Sequence, residues 1–509
     1  MKASTLALTA IERKLICDTN NGLRNGVVFA ATYQSDPAAC EVVDDATTNM
    51  ENNHNLTDSV VSGALSRVIE KHAELRTTVS ASMQFVPLEF VRFDDVVNKI
   101  QFDCYKDEYF NCHDGIPPYI LRHIFNNHEF TVGTERPLWQ LYIVDESMVI
   151  FHGHDALFDS YAAANFHKLF LHELNSLGQA RKEDSEFIFQ HATGLAPLEK
   201  SIFARQSTSI FSTVLDPFNP GFPNAFKAFY NLAIKKPLHF IERGRHEHTP
   251  TPIGLPNGKA PMIPLCGKVV FGTVRPARLS VLRSYLDNVN YTLQVFVAAA
   301  AIFCLKAVNQ ESLMDFTFSI PMNLRDSAGK MPDLGLFHKN VYVDCPTSGS
   351  NNEIRKLFNL GSSNIEGATL HELAPINEVS DMEIQFEKVL SFVSAKMNNA
   401  AKRWRASKYG DDDLEWMKSE VLEPSDFPST QVVEINDLTE HNFLKSENER
   451  YHIEDAYALR SRKTDAFMSI TYCLSSSGLN LGIHYPDNPL MDAFVERLES
   501  FIELYPDGV

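Results

Sequence analysis

The chain has 509 residues, of which 44% are hydrophobic and 22% charged, and its formal net charge at pH 7 is −19. This length exceeds what one hydrophobic core usually supports, so we expect at least two domains. The negative charge argues against nucleic acid as a partner, because phosphate binding requires clustered Lys and Arg. The eight cysteines include no CxxC pair, which indicates free thiols in a reducing compartment.

The sequence shows neither a clear secretion signal nor a membrane-spanning run. Charged residues at Glu12, Arg13 and Lys14 precede any long apolar run, so the N-terminus is a poor secretion signal. The longest apolar stretch, 293–305, contains Gln294 and is too short to span a bilayer. We therefore expect a cytoplasmic protein without a transmembrane segment.

Helical and strand periodicities alternate in the first half. They predict a helix over 11–18, a strand over 26–33, an amphipathic helix capped by Thr57, and strand-like alternation over 85–102. The apolar stretch 202–234 fits a membrane-surface segment or a cover over a domain junction, and its lack of a continuous basic face favours the cover.

The second half repeats this mixture of elements. Prolines in the preceding basic stretch 235–261 indicate an exposed linker. After it we predict strands over 269–274, 316–320, 341–345, 431–437, 467–473 and 479–484, and helices over 279–286, 293–307, 384–397 and 488–504.

The densest polar cluster follows a predicted hairpin in the first half. Two histidines and two acids, His152, His154, Asp155 and Asp159, lie within eight residues, and Ser160 is predicted to cap the helix that follows. Reacting groups are commonly held where a strand end faces a helix start. This cluster is therefore the candidate active site.

The segment from His154 to Ser160 resembles the HHxxxDG motif of the CoA-dependent acyltransferase and condensation-domain superfamily. Its flanks look most like the fungal alcohol acetyltransferases. Counted back from Asp159 without a gap, His154 takes the place of the first histidine and Asp155 that of the second, the usual base, while Ser160 replaces the glycine. A one-residue bulge after the strand would instead bring His154 into the base position.

Weaker similarities extend over nearly the whole chain. Residues 321–325 are similar to a PVNLR-like segment, and Asn436 begins a weak counterpart of the family's Ser-Asn-Leu-Gly turn near CoA. The resemblance implies that Asn323, Arg325 and Asn436, together with His152 and Ser160, lie along the substrate channel.

The resemblance also implies an activity. An O-acyltransferase of this kind moves an acetyl or short acyl group from acyl-CoA, a co-substrate, to an alcohol, and holds no bound cofactor. We expect a monomer that acts on a small-molecule or natural-product acceptor in fungal secondary metabolism. The alternatives are a condensation or cyclisation without CoA, or a non-catalytic binding role.

The chemistry needs a base, and imidazole suits this at neutral pH better than a carboxylate. His154 and Asp155 are both candidates, whereas the resemblance assigns Asp159 to holding the loop. A metal site is not expected, because the metallo-hydrolase pattern HxHxDH has its acid one residue later and a further histidine, which this chain lacks.

The predicted fold class is α/β, with two chloramphenicol-acetyltransferase-like domains, each a mixed sheet flanked by helices. We place the N-terminal domain at 1–215, a Pro-rich linker or crossover at 216–262, and the C-terminal domain at 263–509. The active site is expected in the channel between them.

Overall fold

The computed structural model describes residues 5–20, 24–35, 56–101, 115–127, 130–177, 187–192, 195–198, 268–308, 316–323, 325, 333–345, 379–406, 431–444, 449–460, 466–487 and 489–505. The predicted linker 216–262 and the apolar stretch 202–234 lie outside these residues.

The helices of the described residues occur in both halves of the chain. In order they are α1 (Ala10–Asn20), α2 (Asp58–Lys71), α3 (Phe93–Val96), α4 (Pro118–Asn127), α5 (Ser160–Ser176), α6 (Pro276–Val289), α7 (Leu293–Val308), α8 (Val379–Ala406) and α9 (Pro489–Leu504).

The strands alternate with these helices. In order they are β1 (Leu6–Ala7), β2 (Val27–Ser35), β3 (Thr77–Val79), β4 (Gln84–Pro87), β5 (Phe90–Arg92), β6 (Val97–Ile100), β7 (Trp139–Val144), β8 (Met148–Gly153), β9 (Phe187–Gln190), β10 (Lys268–Val274), β11 (Phe316–Asn323), β12 (His338–Cys345), β13 (Gln431–Asn442), β14 (Tyr451–Arg460), β15 (Ala466–Ser475) and β16 (Gly478–Tyr485).

The first large sheet has five strands in the order β14-β2-β8-β7-β6. Alternate residues face opposite sides, so each strand supplies two cores. Phe29 and Phe151 point to the face that α2 and α5 cover, while Ile150 and Tyr142 point to α4. Because both faces are covered, the inner strands β2, β8 and β7 are largely apolar rather than alternating with polar residues.

The second large sheet has six strands in the order β10-β16-β15-β13-β11-β12 and is mixed, with parallel pairing of β13 to β11 and to β15. Helices α6 to α9 pack on one face of it and share one core with it. The apolar character of α7 on all sides follows from this position, because α8, α9 and the sheet surround it.

Strand β14 links the two sheets. It comes from the C-terminal half of the chain, yet it pairs antiparallel with β2 at the edge of the first sheet. Its outer edge lies on β15 and β16, where Asn480 Nδ2 donates to the Ala456 carbonyl oxygen at 2.9 Å. A Cβ on Gly482 would lie 2.5 Å from the Ala458 carbonyl oxygen, so the close approach of the two backbones requires glycine there.

The predicted class, sheets flanked by helices, is confirmed, and the helix predicted over 293–307 is α7. The stretch 85–102 is not one strand: it contains β4, β5, α3 and β6. Pro87, which lacks an N–H group, ends β4, and Asp94 and Asp95 stand in the first turn of α3, where a helix favours acids.

Two further expectations concern cysteines and membranes. Among the described residues Cys304 and Cys473 are buried free thiols and Cys17 is an exposed one. No single described helix is long and apolar enough to cross a membrane; α6 together with 293–305 passes that test only as a pair bent by 99°.

Candidate active site

The motif turn starts where β8 ends. The pairing of β8 runs without a register shift to Gly153 on both sides, opposite Val27 in β2 and Trp139 in β7. The chain then makes one tight turn, in which the N–H groups of Leu157 and Phe158 each donate to the His154 carbonyl oxygen at 3.0 Å. This ladder therefore contains no bulge of the kind that would move His154 along the motif.

His154 is completely buried. Its Nδ1 accepts a hydrogen bond from the Ala156 N–H at 2.9 Å, and its ring packs on Phe130. Burial lowers the pKa of His154 to about 4, against an opposite effect of the Asp155 charge, so the ring is neutral at pH 7. Since Nδ1 accepts, the proton of the neutral ring is on Nε2, which has no hydrogen-bond partner among the described residues.

Asp155 is also buried, with 4% of its surface exposed. Its Oδ2 lies 4.0 Å from Nη1 of Arg24, whose Nε donates to Asp18 at 3.2 Å. Arg24 stands between α1 and β2, so the N-terminal helix and the motif turn share one guanidinium. The site thus pairs a neutral imidazole with a carboxylate on consecutive residues.

Asp159, not Ser160, is the N-cap of α5, which corrects the prediction. The Asp159 carboxylate accepts from the Ala162 N–H at 2.7 Å, and Ser160 is the first helical residue. A carboxylate at this position satisfies an N–H that has no partner within the helix. The same group accepts from Phe337 N–H at 2.9 Å and from both terminal nitrogens of Arg325.

The contacts of Asp159 join the two halves of the protein. Burial alone would raise the pKa of Asp159, but the Arg325 charge and hydrogen bonds from Arg325 and His338 hold it well below its usual range. Arg325 also donates to the carbonyl oxygens of Gly335 at 2.8 Å and Asp333 at 3.2 Å. The guanidinium is therefore used to hold the motif turn against the loop before β12.

The other predicted channel residues lie in different surroundings. Asn323 accepts from the Arg325 N–H at 3.1 Å and donates to Glu440, so it positions Arg325. Asn436 is buried on β13 and donates to Thr471 Oγ1 at 3.2 Å. The structure thus brings Asn323 and Arg325 to Asp159, and places Asn436 on the second sheet.

His152 lies on β8, two residues before His154. Its Nε2 lies within hydrogen-bond distance of the Asn25 carbonyl oxygen, and its ring contacts Phe125 and Phe130. No group of three or more His, Cys, Asp or Glu side chains that would hold a metal ion occurs in the described ranges.

Three residues on or beside the motif helix were not predicted from the sequence. Tyr161 donates to the Pro321 carbonyl oxygen at 3.0 Å, and its ring lies 5.8 Å from that of His441 on β13. On α5, His167 lies between Tyr33 and the Phe29 carbonyl oxygen. Burial lowers the pKa of both His167 and His441 to about 3, so with His154 they form a set of three buried neutral histidines. Only Tyr161 directly follows the motif, so it is the only one of the three whose position in the sequence indicated a place near the site.

Comparisons with known proteins identify the family. A family model described as alcohol acetyltransferase matches residues 42–328. The chain belongs to the alcohol acetyltransferase family. A Saccharomyces cerevisiae relative, "PSTB2-interacting protein 1", is 32% identical over 518 residues, 97% of this chain and 99% of the relative.

Solved structures similar to this family member include condensation and cyclization domains. The first condensation domain of the calcium-dependent antibiotic synthetase is 12% identical, with a TM-score of 0.59 over 99% of this chain and 97% of that one. The cyclization-docking bidomain of EpoB from Sorangium cellulosum is 14% identical, with a TM-score of 0.53 over 99% and 85%. At these identities the likeness concerns the fold, and it confirms the two-lobed, chloramphenicol-acetyltransferase-like architecture. Family and fold together support an acyltransferase or condensation-type function.

Proposed function

We propose that this protein transfers an acetyl or short acyl group from acyl-CoA to an alcohol. Family membership supports the reaction class, and the turn after β8 supports the location. The observation that carries the proposal is the pair on that turn, a buried carboxylate on Asp155 beside a buried imidazole whose Nε2 lacks a hydrogen-bond partner among the described residues.

In this proposal Asp155 is the general base. The acceptor oxygen attacks the thioester carbonyl carbon, the C–O bond forms and the C–S bond breaks, and Asp155 carries the hydroxyl proton to the leaving thiolate. His154 does not suit this step, since its Nδ1 already accepts from the Ala156 N–H and its Nε2 carries a proton. Its Nε2–H is instead a donor for the oxygen that becomes negative in the transition state.

The remaining roles are positional. We assign Asp159 and Arg325 to holding the turn, and Asn323 to holding Arg325, on the basis of their hydrogen bonds. Acyl-CoA acts as a co-substrate and not as a resident cofactor. We further propose a cytoplasmic monomer that acts in fungal secondary metabolism, as the resemblance implies.

The test follows thiol release from acetyl-CoA in the presence of a panel of alcohols. Asp155→Asn keeps the shape of the side chain but cannot accept the proton, so turnover should fall by about a hundredfold or more. Asp18→Asn is the matched control, because Asp18 also contacts Arg24 but lies outside the motif; it should stay close to wild type. Unchanged turnover in Asp155→Asn would exclude Asp155 as the base.

His154 is tested separately. His154→Phe fills the same space without an N–H donor, and should lower the rate constant of the chemical step more than the affinity for acetyl-CoA. A rate loss of about a hundredfold or more in His154→Phe, together with a fully active Asp155→Asn, would reverse the two roles.

A second candidate function rests on the yeast relative, whose name describes an interaction with PSTB2. We propose that this chain also binds the corresponding partner. Co-purification of tagged protein with that purified partner tests this, and Asp155→Asn should bind it as wild type does. Absence of complex at micromolar concentrations would exclude the partner role, whatever the outcome of the thiol assay.

A further inference from the structure

Arg460 is the last residue of β14 and stands at the motif end of the first sheet. It pairs opposite Val27, which in turn pairs opposite Gly153, the residue before His154. Because side chains alternate between the two faces of a strand, Arg460 lies on the same face of β14 as Ala458, which belongs to the core that α5 covers. Arg460 therefore projects on the α5 side of the sheet, two strands away from the start of the motif turn.

This arginine is buried but unpaired. Only 6% of its surface is exposed, and its Nε has no hydrogen-bond partner among the described residues. None of the described carboxylates forms an ion pair with it. Buried charges in proteins are ordinarily paired, because removing a charge from water is costly unless a counter-charge replaces the water. By contrast, Arg325, equally buried, makes two bonds to Asp159.

The second sheet presents a row of polar side chains on the face away from its helices. Ser469 on β15 pairs opposite His484 on β16 and opposite Glu434 on β13. We call Glu434, Ser469 and His484 the polar rung. All three are buried, and the hydroxyl of Ser469 has no hydrogen-bond partner among the described residues.

The contact between β14 and the second sheet brings Arg460 and the polar rung together. The Ala456 carbonyl oxygen accepts from Asn480, and the Ala458 carbonyl oxygen lies over Gly482. The contacts thus move two residues along β14 and two residues along β16 in the same direction. Two residues further on, β14 carries Arg460 and β16 carries His484 of the polar rung.

We propose that Arg460 and Ser469 of the polar rung form an oxyanion subsite that receives the carboxylate or phosphate group of the acceptor alcohol. A guanidinium supplies two parallel N–H donors to such a group, and the Ser469 hydroxyl supplies another. The inference rests on the proposed function, since it places the acceptor's anionic end two strands from the motif turn. The acceptor class is then a hydroxy acid or a phosphate-bearing alcohol, not a neutral alcohol.

The experiment measures binding by calorimetry, without turnover, to matched pairs of small ligands. The pairs are 4-hydroxybutyrate with 1,4-butanediol, and glycerol 3-phosphate with glycerol. Wild type should bind the charged member of at least one pair about tenfold or more tightly than the neutral member. Arg460→Met should lose this preference, and Arg460→Lys should keep part of it.

Two controls separate a binding role from a structural one. Arg278→Met removes a guanidinium that donates to the carbonyl oxygens of Glu503 and Leu504 far from the motif, and should keep the preference. Without ligand, Arg460→Met should unfold at a higher temperature than wild type, because it removes a buried charge that has no counter-charge among the described residues. A lower unfolding temperature would show that Arg460 is needed for the fold, and would overturn the proposal.

Other results would also overturn the subsite or separate it from the proposed acyl transfer. Equal affinity for charged and neutral ligands in wild type, or an unchanged preference in Arg460→Met, would overturn the subsite. So would a loss of acetyl-CoA affinity alone in Arg460→Met, which would place the anion on the donor. If charged ligands bind through Arg460 but no thiol is released with any of them, the subsite stands and the acyl-transfer proposal fails.

Discussion

Replacing Asp159 by asparagine should destabilise the protein by about 3–5 kcal/mol, because it leaves Arg325 as a buried charge without a counter-ion. The structure supports a value in this range, since both Asp159 oxygens bond to the guanidinium, at 2.9 and 3.2 Å. Asparagine still caps α5 through its carbonyl oxygen. Asp159→Ala loses that cap as well, which adds about 1 kcal/mol.

Replacing Arg325, the ion-pair partner of Asp159, completes a double-mutant cycle. Arg325→Met leaves the Asp159 charge buried, although the N–H groups of Ala162 and Phe337 still donate to it. In the double variant Asp159→Asn with Arg325→Met neither charge remains. Its cost should therefore fall short of the sum of the two single costs by about 2 kcal/mol or more.

The assay is urea unfolding followed by far-UV circular dichroism and by fluorescence of Trp139, which is buried in the first lobe. The pH dependence supplies a second check. The pKa of Asp159 is lowered in the folded protein, so its stabilisation is present above the unfolded value of about 4 and is lost as the pH falls below it. Additive costs, or an Asp159→Asn difference that stays constant from pH 7 to pH 3, would refute the ion-pair reasoning.

Burial lowers the pKa of three histidines from 6.5, to about 4 for His154 and to about 3 for His167 and His441. As the pH falls, the unfolded chain therefore takes up protons at these residues before the folded protein does. The free energy of unfolding should decrease below about pH 6.5, by up to roughly 1.4 kcal/mol per pH unit for each histidine. His441→Phe should reduce that slope, measured as urea midpoints at pH 7 and 5.5, and an unchanged slope would contradict the titration. Gly482→Ala should cost about 1–3 kcal/mol and increase proteolysis between the lobes, because its Cβ would meet a backbone oxygen that side-chain rotation cannot move. Gly63→Ala is its control: the nearest atoms to that Cβ are the two Leu177 methyl groups at 3.3 and 3.5 Å, so its urea midpoint should shift much less.

Much of the fold was predictable because its elements follow local rules. The apolar helix over 293–307 and the hairpin near the motif follow from periodicity and turn residues, and the structure has both. The pairing of β14 with β2 was not predicted, because the partners of a strand distant in sequence leave no local pattern. The prediction for 85–102 failed because the alternating pattern continues through separate elements, which are interrupted at Pro87 and at the acids Asp94 and Asp95.

At the site, spacing identified the turn but not the state of its groups. The motif placed His154, Asp155 and Asp159 correctly relative to β8 and α5, whereas the N-cap was assigned one residue too late. The proton on His154 Nε2 follows from a hydrogen bond of Nδ1 to the Ala156 N–H, which only the folded turn creates. Likewise, no pattern in the sequence shows that Arg460 is buried or that its Nε has no hydrogen-bond partner among the described residues.

The crossing of β14 into the first sheet also has a consequence for synthesis of the chain. Until residues 451–460 have left the ribosome, the outer edge of β2 has no partner, and its backbone N–H and C=O groups are available to other nascent chains. The first lobe therefore cannot complete its folding as it emerges, although most of its residues are made early. A fragment that stops before β14 should aggregate, and supplying residues 451–460 as a separate peptide should restore part of its solubility.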